Sequence, residues 1–162
     1  MLDVVLVEPE IPGNTGNVIR LCANAGWRLH LCEPLGFSLE EKAVRRAGLD
    51  YHKEIVGKVQ VHANLEQCFA EGVPEAVKAG RVFGFSARAE DSVFDVSLRP
   101  GDCLVFGSES KGLSQAAAQQ FAAQRRLLRI PILRSTRSLN LANAVAIAGF
   151  EALRQNGFPG FT

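Results

Sequence analysis

The sequence predicts an α/β domain with a mostly parallel sheet flanked by helices. Short apolar, β-branched runs alternate with segments of helical pattern along the chain, which is the order of a sheet whose strands are joined by helices. The 162 residues are 47% hydrophobic, enough for one compact domain with its own core. No repeat, low-complexity stretch or linker interrupts the sequence. We therefore predict a single domain over residues 1–162.

Six segments are predicted to be buried strands, because each is a short apolar run that ends at polar or turn-forming residues. In chain order they are Leu2–Val7, Arg28–Cys32, Val59–His62, Val82–Ser86, Cys103–Phe106 and Leu127–Ile130. The third is the weakest prediction, since polar residues alternate with its valines. Pro131 ends the last strand, because proline lacks the N–H group that a sheet requires.

Five helices are predicted from segments of helical pattern. They are Asn17–Ala25, Leu39–Ala47, Leu65–Glu71, Ser114–Ala123 and Asn140–Gln155. Ser38 is a suitable cap for the second helix and Asn140 for the last, because their side-chain oxygens can accept hydrogen bonds from free backbone amides. The stretch before the first helix contains Pro12 and Gly16. We predict a loop there whose backbone can approach a phosphate or a sugar closely.

The first and last of these helices lack a polar face. Apolar residues point in nearly every direction of Asn140–Leu153 and of the first helix, a pattern typical of helices that are buried on all sides. A domain of this size has little interior in which to bury two such helices. We therefore predict that both pack in a homodimer interface. A central helix in a monomer remains the alternative.

Charge and cysteine content narrow the function classes. The formal charge of +1 excludes neither a nucleic acid nor a small acidic partner, although arginines cluster locally. The four cysteines form no CxxC pair and have no histidine spacing suited to zinc, so no metal site is predicted. No signal peptide and no apolar run of membrane-spanning length is visible. These features predict a cytoplasmic protein with reduced core thiols and no membrane segment.

Three segments carry residues suited to ligand binding, and each follows a predicted strand. They are Asn14–Arg20, Phe106–Leu113 and Ile130–Asn140. Open α/β sheets bind ligands at the carboxyl ends of their strands, where these segments would lie. None of them contains GxxxxGKS/T or GxGxxG, which argues against nucleotide hydrolases and against dinucleotide-dependent oxidoreductases.

Individual side chains in these segments allow more than one role. Arg20 lies among apolar residues, so we expect it to be buried unless its guanidinium reaches a cleft, and to need an anionic or oxygen-rich partner. Glu109 is suited either to catalysis as a carboxylate or to holding its loop by accepting hydrogen bonds from backbone amides. Ser138 is placed to contact a ligand, and Asn140 to cap the last helix.

In order, the motifs NxxNxxR, FGxExxGL and IPI…SLNLANA resemble those of the SPOUT methyltransferases over nearly the whole chain. Within that superfamily the chain is similar to the small single-domain tRNA (cytidine(34)-2′-O)-methyltransferases. The likeness is strongest in "EPEIPGNTGNVIRLCANAG", "RRAGLDYH" and "RSLNLANAVAIAGFEALRQ". It implies methylation of the wobble ribose from S-adenosylmethionine and a deep trefoil knot at the C-terminal end of the sheet. It also implies a homodimer that buries the first and last helices.

The resemblance implies roles for particular residues. Five of them would bind S-adenosylmethionine, mostly through backbone groups: Phe85, Gly107, Ile130, Ser138 and Leu139. Glu109 and Asn140 would support the pocket, and Arg20 would be catalytic with Asn14 orienting it. Because a guanidinium keeps its proton, we expect Arg20 to bind the adjacent phosphate and the developing alkoxide. A water or a nearby acceptor would then take the proton.

Contacts with RNA are expected from basic side chains that bind phosphates of the tRNA anticodon stem-loop, namely Arg45, Arg46, His52, Arg134 and Arg137. A splayed wobble base could stack on Tyr51 or Trp27. Two alternatives stay open beside this function. The chain could methylate another tRNA or rRNA ribose, or it could be a non-catalytic module that binds RNA or a nucleotide.

Overall fold

The computed structural model describes residues 1–39 and 59–162. In these ranges one seven-stranded sheet runs through the molecule in the order β3-β2-β1-β6-β4-β7-β5. Every pair of neighbouring strands is parallel, which confirms the predicted α/β class. The strands are β1 (Asp3–Val7), β2 (Arg28–Cys32), β3 (Val59–His62), β4 (Val82–Phe85), β5 (Asp91–Ser92), β6 (Cys103–Phe106) and β7 (Leu127–Arg129).

Helices connect the strands on both faces of the sheet. Those described are α1 (Pro12–Ala25), α2 (Leu65–Gln67), α3 (Pro74–Lys78), α4 (Gln115–Ala123) and α5 (Leu141–Gln155). A π-helical segment, Cys68–Gly72, continues α2, and a 3₁₀ turn, Val93–Asp95, follows β5. The predicted helix Leu39–Ala47 falls almost wholly outside the described residues. No helix within the described ranges is long and apolar enough to cross a membrane.

The largest difference from the sequence prediction is the start of α1. The stretch predicted as a loop is the beginning of this helix, which starts at Pro12 instead of Asn17. Proline suits the first helical position, since its fixed φ is helical and its missing N–H would have no partner there. The short elements α3 and β5 were missed because a few residues give too little pattern to recognise.

Two hydrophobic cores lie on the two faces of the sheet. Successive side chains of a strand point to opposite faces, so Val4 and Leu6 of β1 join one core while Val5 joins the other. The first core is closed by α1 and α5 and contains Val18 and Val145. The second is closed by the segments from α2 to α4 and contains all but one of the cysteines and Phe121. All four cysteines are free and buried, as expected for core thiols.

Helices α1 and α5 pack together on the first face and keep one side exposed. Gly149 of α5 lies directly against Trp27, where an added Cβ would stand 2.1 Å from the indole ring. On the outer side of α5, Ile147 is 37% exposed and Phe150 is 43% exposed. The helix therefore presents apolar side chains outward as well as inward, which is the pattern that predicted an interface between copies of the chain.

Candidate functional site

An open cavity of about 1520 Å³ lies at the carboxyl ends of the strands β4, β6 and β7. Its walls are formed by Phe85 and Ser86 after β4, by residues 106–113 after β6, and by the segment from Ile130 to Leu141 after β7. Asn14 of α1 completes one side. The three segments singled out in the sequence therefore meet at one cavity, as the position of ligand sites in parallel sheets predicts.

Glu109 fastens the loop after β6 to the first turn of α1. Its carboxylate accepts hydrogen bonds from the backbone N–H of Glu10 at 2.7 Å and of Ile11 at 3.1 Å, and from Nδ2 of Asn14 at 3.0 Å. A carboxylate at this position also complements the positive end of the helix dipole. Of the two roles considered for Glu109, the structure shows the one in which it holds its loop.

Asn14 and Asn140 extend this connection to the last helix. Nδ2 of Asn140 donates to Oδ1 of Asn14 at 2.8 Å. Oδ1 of Asn140 accepts from the backbone N–H of Ala142 at 3.0 Å and of Asn143 at 3.3 Å, so Asn140 caps α5 as predicted. Because each amide both donates and accepts, the orientation of both side chains is fixed. We call Glu109, Asn14 and Asn140 the three-loop network.

A second contact and a close backbone approach shape the loop after β6. Ser110 donates to the Glu10 carboxylate from its hydroxyl at 2.6 Å and from its N–H at 3.0 Å, and the hydroxyl bond lowers the pKa of Glu10. The loop turns back at Gly112, where φ is +71°. An added Cβ at Gly107 would stand 2.0 Å from the carbonyl carbon of Gly112. Only glycine fits there.

The five residues expected to bind the cofactor, Phe85, Gly107, Ile130, Ser138 and Leu139, all line the cavity. Phe85 stacks on Phe106 with ring centroids 4.6 Å apart, which gives the cavity a flat apolar wall. Ligand pockets of this kind combine apolar walls with a few polar groups. Apolar side chains, strand-end backbone and the Ser138 hydroxyl fit a nucleoside bearing a short charged chain, as S-adenosylmethionine does.

Arg20 does not lie where the sequence placed it. We expected a buried guanidinium, but Arg20 is exposed, since Asn14, Val18 and Cys22 form the buried side of α1 and Arg20 points elsewhere. It is not among the residues that line the cavity. The expected contact between Asn14 and Arg20 is absent from the described hydrogen bonds, because the amide of Asn14 is used by the three-loop network.

The predicted RNA-binding residues are distributed over several places. Arg137 lines the cavity and Arg134 is exposed on the same loop. Trp27 is only 3% exposed, so the expectation that it stacks on a base is wrong. Lys111, in the segment Phe106–Leu113 singled out in the sequence, also lines the cavity. Arg88 lines it too and was missed, since nothing in its sequence neighbourhood distinguishes it from other surface cations. Three further candidates and Tyr51 lie outside the described residues: Arg45, Arg46 and His52.

A buried polar cluster on the other face of the sheet was also missed. In the described part of the chain, donor atoms of His30, His62 and Cys68 lie within 4.8 Å of one another, although their sequence spacing suggested no such group. Nε2 of His30 contacts Oδ1 of Asp3 at 3.1 Å, and its Nδ1 contacts Nε2 of His62 at 3.1 Å. Both imidazoles therefore have protein partners, and the cluster forms a hydrogen-bond chain between neighbouring strands.

Comparison with known proteins agrees with this geometry. The model of the SpoU rRNA methylase family matches residues 1–150. A protein of Polaromonas sp. named tRNA (cytidine(34)-2′-O)-methyltransferase is 51% identical over 160 residues, which cover 99% of this chain and 94% of the relative.

Two solved structures show the same fold over nearly the whole chain. One, described as structural insights into the 2-OH methylation of C/U34 on tRNA, is 45% identical with a TM-score of 0.84 and covers 97% of both chains. The other is an AdoMet-bound rRNA methyltransferase from Sinorhizobium meliloti. It is 25% identical with a TM-score of 0.77, over 94% of this chain and 56% of that one.

Proposed function

The chain belongs to the SpoU rRNA methylase family, and we propose that it is an S-adenosylmethionine-dependent 2′-O-methyltransferase of the tRNA wobble nucleotide. The substrate is cytidine 34, together with modified uridine 34 in tRNAs that carry it. One observation carries the proposal: three loops far apart in sequence meet at one cavity and are joined by the three-loop network. The relatives named for this reaction cover almost the whole chain.

The cavity at the ends of β4, β6 and β7 holds the cofactor in this proposal. Backbone groups of Phe85, Gly107, Ile130 and Leu139 bind the adenosine and methionine parts, and Ser138 adds a hydroxyl. When bound, S-adenosylmethionine supplies an electrophilic methyl group. The protein would align the ribose oxygen with the methyl carbon, since direct displacement requires the two atoms to face each other. The C-terminal segment forms a trefoil knot around this site, a proposal supported by β6 and β7 lying between strands formed earlier in the chain.

Arg20 reaches a cavity in the homodimer. Its exposed position outside its own cavity supports a role at the cavity of the partner, in a dimer built on α1 and α5. There it binds the phosphate next to the target ribose and stabilises the developing alkoxide. A guanidinium stays protonated, so the proton passes to a water or a nearby acceptor. Glu109, Asn14 and Asn140 keep the loops in place.

The RNA partner is the anticodon stem-loop of tRNA. Its phosphates bind basic side chains on the rim of the cavity, of which Arg137 lines the cavity and Arg134 lies on the same loop. Arg45, Arg46 and His52 are proposed to add further contacts. Since phosphate contacts release counterions, binding weakens as salt rises. The proposal places the enzyme in the cytoplasm together with its substrate.

Transfer of a labelled methyl group tests this function directly. The protein is incubated with tritiated S-adenosylmethionine and unmodified tRNA, and the labelled nucleoside is mapped after digestion. We expect label on the 2′-oxygen of nucleotide 34. Arg20→Lys removes the planar fork and should lower the rate about a hundredfold or more. Binding of S-adenosylmethionine, measured by calorimetry, should be unchanged by this substitution.

A pair of glycine variants supplies the matched control. Gly107→Ala should abolish cofactor binding, because the new Cβ would overlap the backbone of Gly112. Gly13→Ala should keep it, since no described atom lies within 4 Å of the Cβ that it adds. Label on another nucleotide would replace the assigned position with a different RNA ribose. Failure of the wild-type protein to bind S-adenosylmethionine would favour a non-catalytic module.

A further inference from the structure

A second depression, of about 460 Å³, lies at the opposite end of the sheet from the cavity. We call it the arginine groove, because Arg81, Arg99, Arg125 and Arg126 line it. Arg81 directly precedes β4, Arg99 lies shortly before β6, and Arg126 directly precedes β7. The same three strands therefore carry the cavity at their carboxyl ends and the arginine groove at their amino ends.

The four guanidinium groups are not all neutralised. Arg81 forms a two-pronged ion pair with Asp102, at 2.7 and 2.6 Å. Arg125 is 3.7 Å from Asp91 and its side chain is 85% exposed, so that pair is weak. Neither Arg99 nor Arg126 has a carboxylate partner among the ion pairs of the described residues. Four cations and two anions leave a net positive groove in a chain whose total charge is only +1.

One of these arginines has an unfavourable backbone conformation, and another lies against a glycine. Arg125 follows Gln124, the C-cap of α4, and has φ at +53°, a left-handed conformation that favours glycine over any other residue. Arg126 lies over Gly80, where a Cβ would stand 2.6 Å from the guanidinium. Nη1 of Arg126 donates a hydrogen bond to Oε1 of Gln124 at 3.1 Å. A glycine at position 125 would suit the fold better, so the arginine there indicates a role in binding.

We propose that the arginine groove binds backbone phosphates of the RNA substrate, at a distance from the nucleotide that is methylated. Guanidinium forks suit phosphate oxygens, which accept two parallel hydrogen bonds from them. Strands of four residues place the groove about 13 Å from the cavity, so one folded RNA can reach both ends of the sheet. The inference rests on the proposed function in one respect, namely that the substrate is RNA.

Binding of tRNA by groove variants tests this inference. Each phosphate contact is worth about fivefold in affinity at 0.15 M salt, from a slope of about 0.9 in log K against log salt. Arg99→Gln combined with Arg126→Gln should therefore weaken tRNA binding more than tenfold and lower the salt slope by about 1.8. Affinity is measured by fluorescence anisotropy across a salt series, and calorimetry with S-adenosylmethionine should show an intact cavity.

Arg125→Gly separates binding from folding. If Arg125 had no role in binding RNA, its replacement by glycine would leave the affinity for tRNA unchanged and raise the melting temperature. We expect the melting temperature to hold or rise while affinity falls about fivefold. The control is Lys78→Gln, which removes one cation at the same end of the molecule. Its ammonium is paired with Glu75 at 2.9 Å and does not line the groove.

The outcomes are distinguishable from those that test the activity. If groove variants bind tRNA as tightly as Lys78→Gln, with the same salt slope, the arginine groove is not an RNA site, whatever the wild-type protein methylates. If the variants lose tRNA affinity while the wild-type protein transfers no methyl group, the arginine groove is an RNA site and the proposed function is wrong. If the groove variants lose the binding of inorganic phosphate but keep the wild-type affinity for tRNA, the groove is a site for a small anion and the inference is wrong.

Discussion

At the scale of single residues, the site depends on where each hydrogen bond is accepted. Both carboxylate oxygens of Glu109 receive N–H groups, from the backbone at Glu10 and Ile11 and from the Asn14 side chain. A carboxylate can accept all of them because it has no hydrogen of its own at neutral pH. Asn14 then presents only its oxygen to Asn140. Replacing one oxygen of the Glu109 carboxylate should therefore weaken the hydrogen bonds that join the three loops.

Glu109→Gln tests this dependence. The glutamine NH₂ must face one of the N–H donors, so a partly buried or exposed donor loses its acceptor, which costs about 1 kcal/mol of the free energy of unfolding. Affinity for S-adenosylmethionine should fall with it, because the loop holding Gly107 is released. Urea denaturation and calorimetry measure the two effects.

Glu10→Gln is the matched control for this substitution. Its main partner is the Ser110 hydroxyl, which can turn and accept from an NH₂ group instead of donating. We expect Glu10→Gln to lower the free energy of unfolding less than Glu109→Gln does, because water can replace the contacts of an exposed side chain. Equal effects of the two substitutions would show that the three-loop network is not what holds the site.

At the scale of elements, the buried cluster around His30 and His62 adds side-chain hydrogen bonds to the backbone bonds that join β1, β2 and β3. Asp3 of β1, His30 of β2 and His62 of β3 form one buried chain. Burial raises the pKa of Asp3, but hydrogen bonds from His30 and Arg28 together lower it further than burial raises it. Burial, and then the nearby His30, lower the pKa of His62. The cluster makes this edge of the sheet sensitive to acid.

The sign of that sensitivity follows from proton binding. Below about pH 6.5, the pKa of an unperturbed histidine, the unfolded chain binds a proton at His62 more readily than the folded chain does. The free energy of unfolding should therefore fall as pH drops from about 7 to 5. His62→Gln should flatten this slope, as measured by urea denaturation at a series of pH values. An unchanged slope in the variant would rule out His62 as its source.

At the scale of the whole molecule, the outer side of α5 is the surface on which the proposed dimer depends. Ile147 and Phe150 are exposed apolar residues on a helix whose other large apolar residues are buried. Arg20 is exposed on α1, which packs against α5, and lies outside its own cavity. A dimer through these helices would cover the apolar side and bring Arg20 to a second cavity. Methyl transfer would then require the dimer.

Light scattering tests this coupling. We expect a mass of about twice the 17.5 kDa of one chain. Ile147→Glu should give the single-chain mass and lose methyl transfer while keeping cofactor binding, because a charge buried in an apolar interface is costly. Val77→Glu is the control, since it places the same charge at an exposed valine of α3, away from α5. A monomeric wild-type protein would end the dimer proposal.

Much of the site was visible in the sequence because short-range pattern and motif chemistry are local properties. The strands β2, β3 and β6 have the predicted bounds, α5 begins directly after its predicted cap, and α4 begins one residue after its predicted start. Every residue expected to bind the cofactor lines the cavity. Strand ends of a parallel sheet share one edge, so a motif after each strand is enough to predict one site.

By itself the sequence determined the alternation of strands and helices, the motif residues and the edge of the sheet where they lie. Only the tertiary structure decided which of those residues touch. Asn14 meets Glu109 across 95 positions and Asn140 across 126, and four scattered arginines share one groove. Arg20 turned outward because the buried side of α1 is set by its packing against α5 and the sheet. Periodicity records which residues are apolar, whereas contact between distant side chains depends on how the whole chain closes.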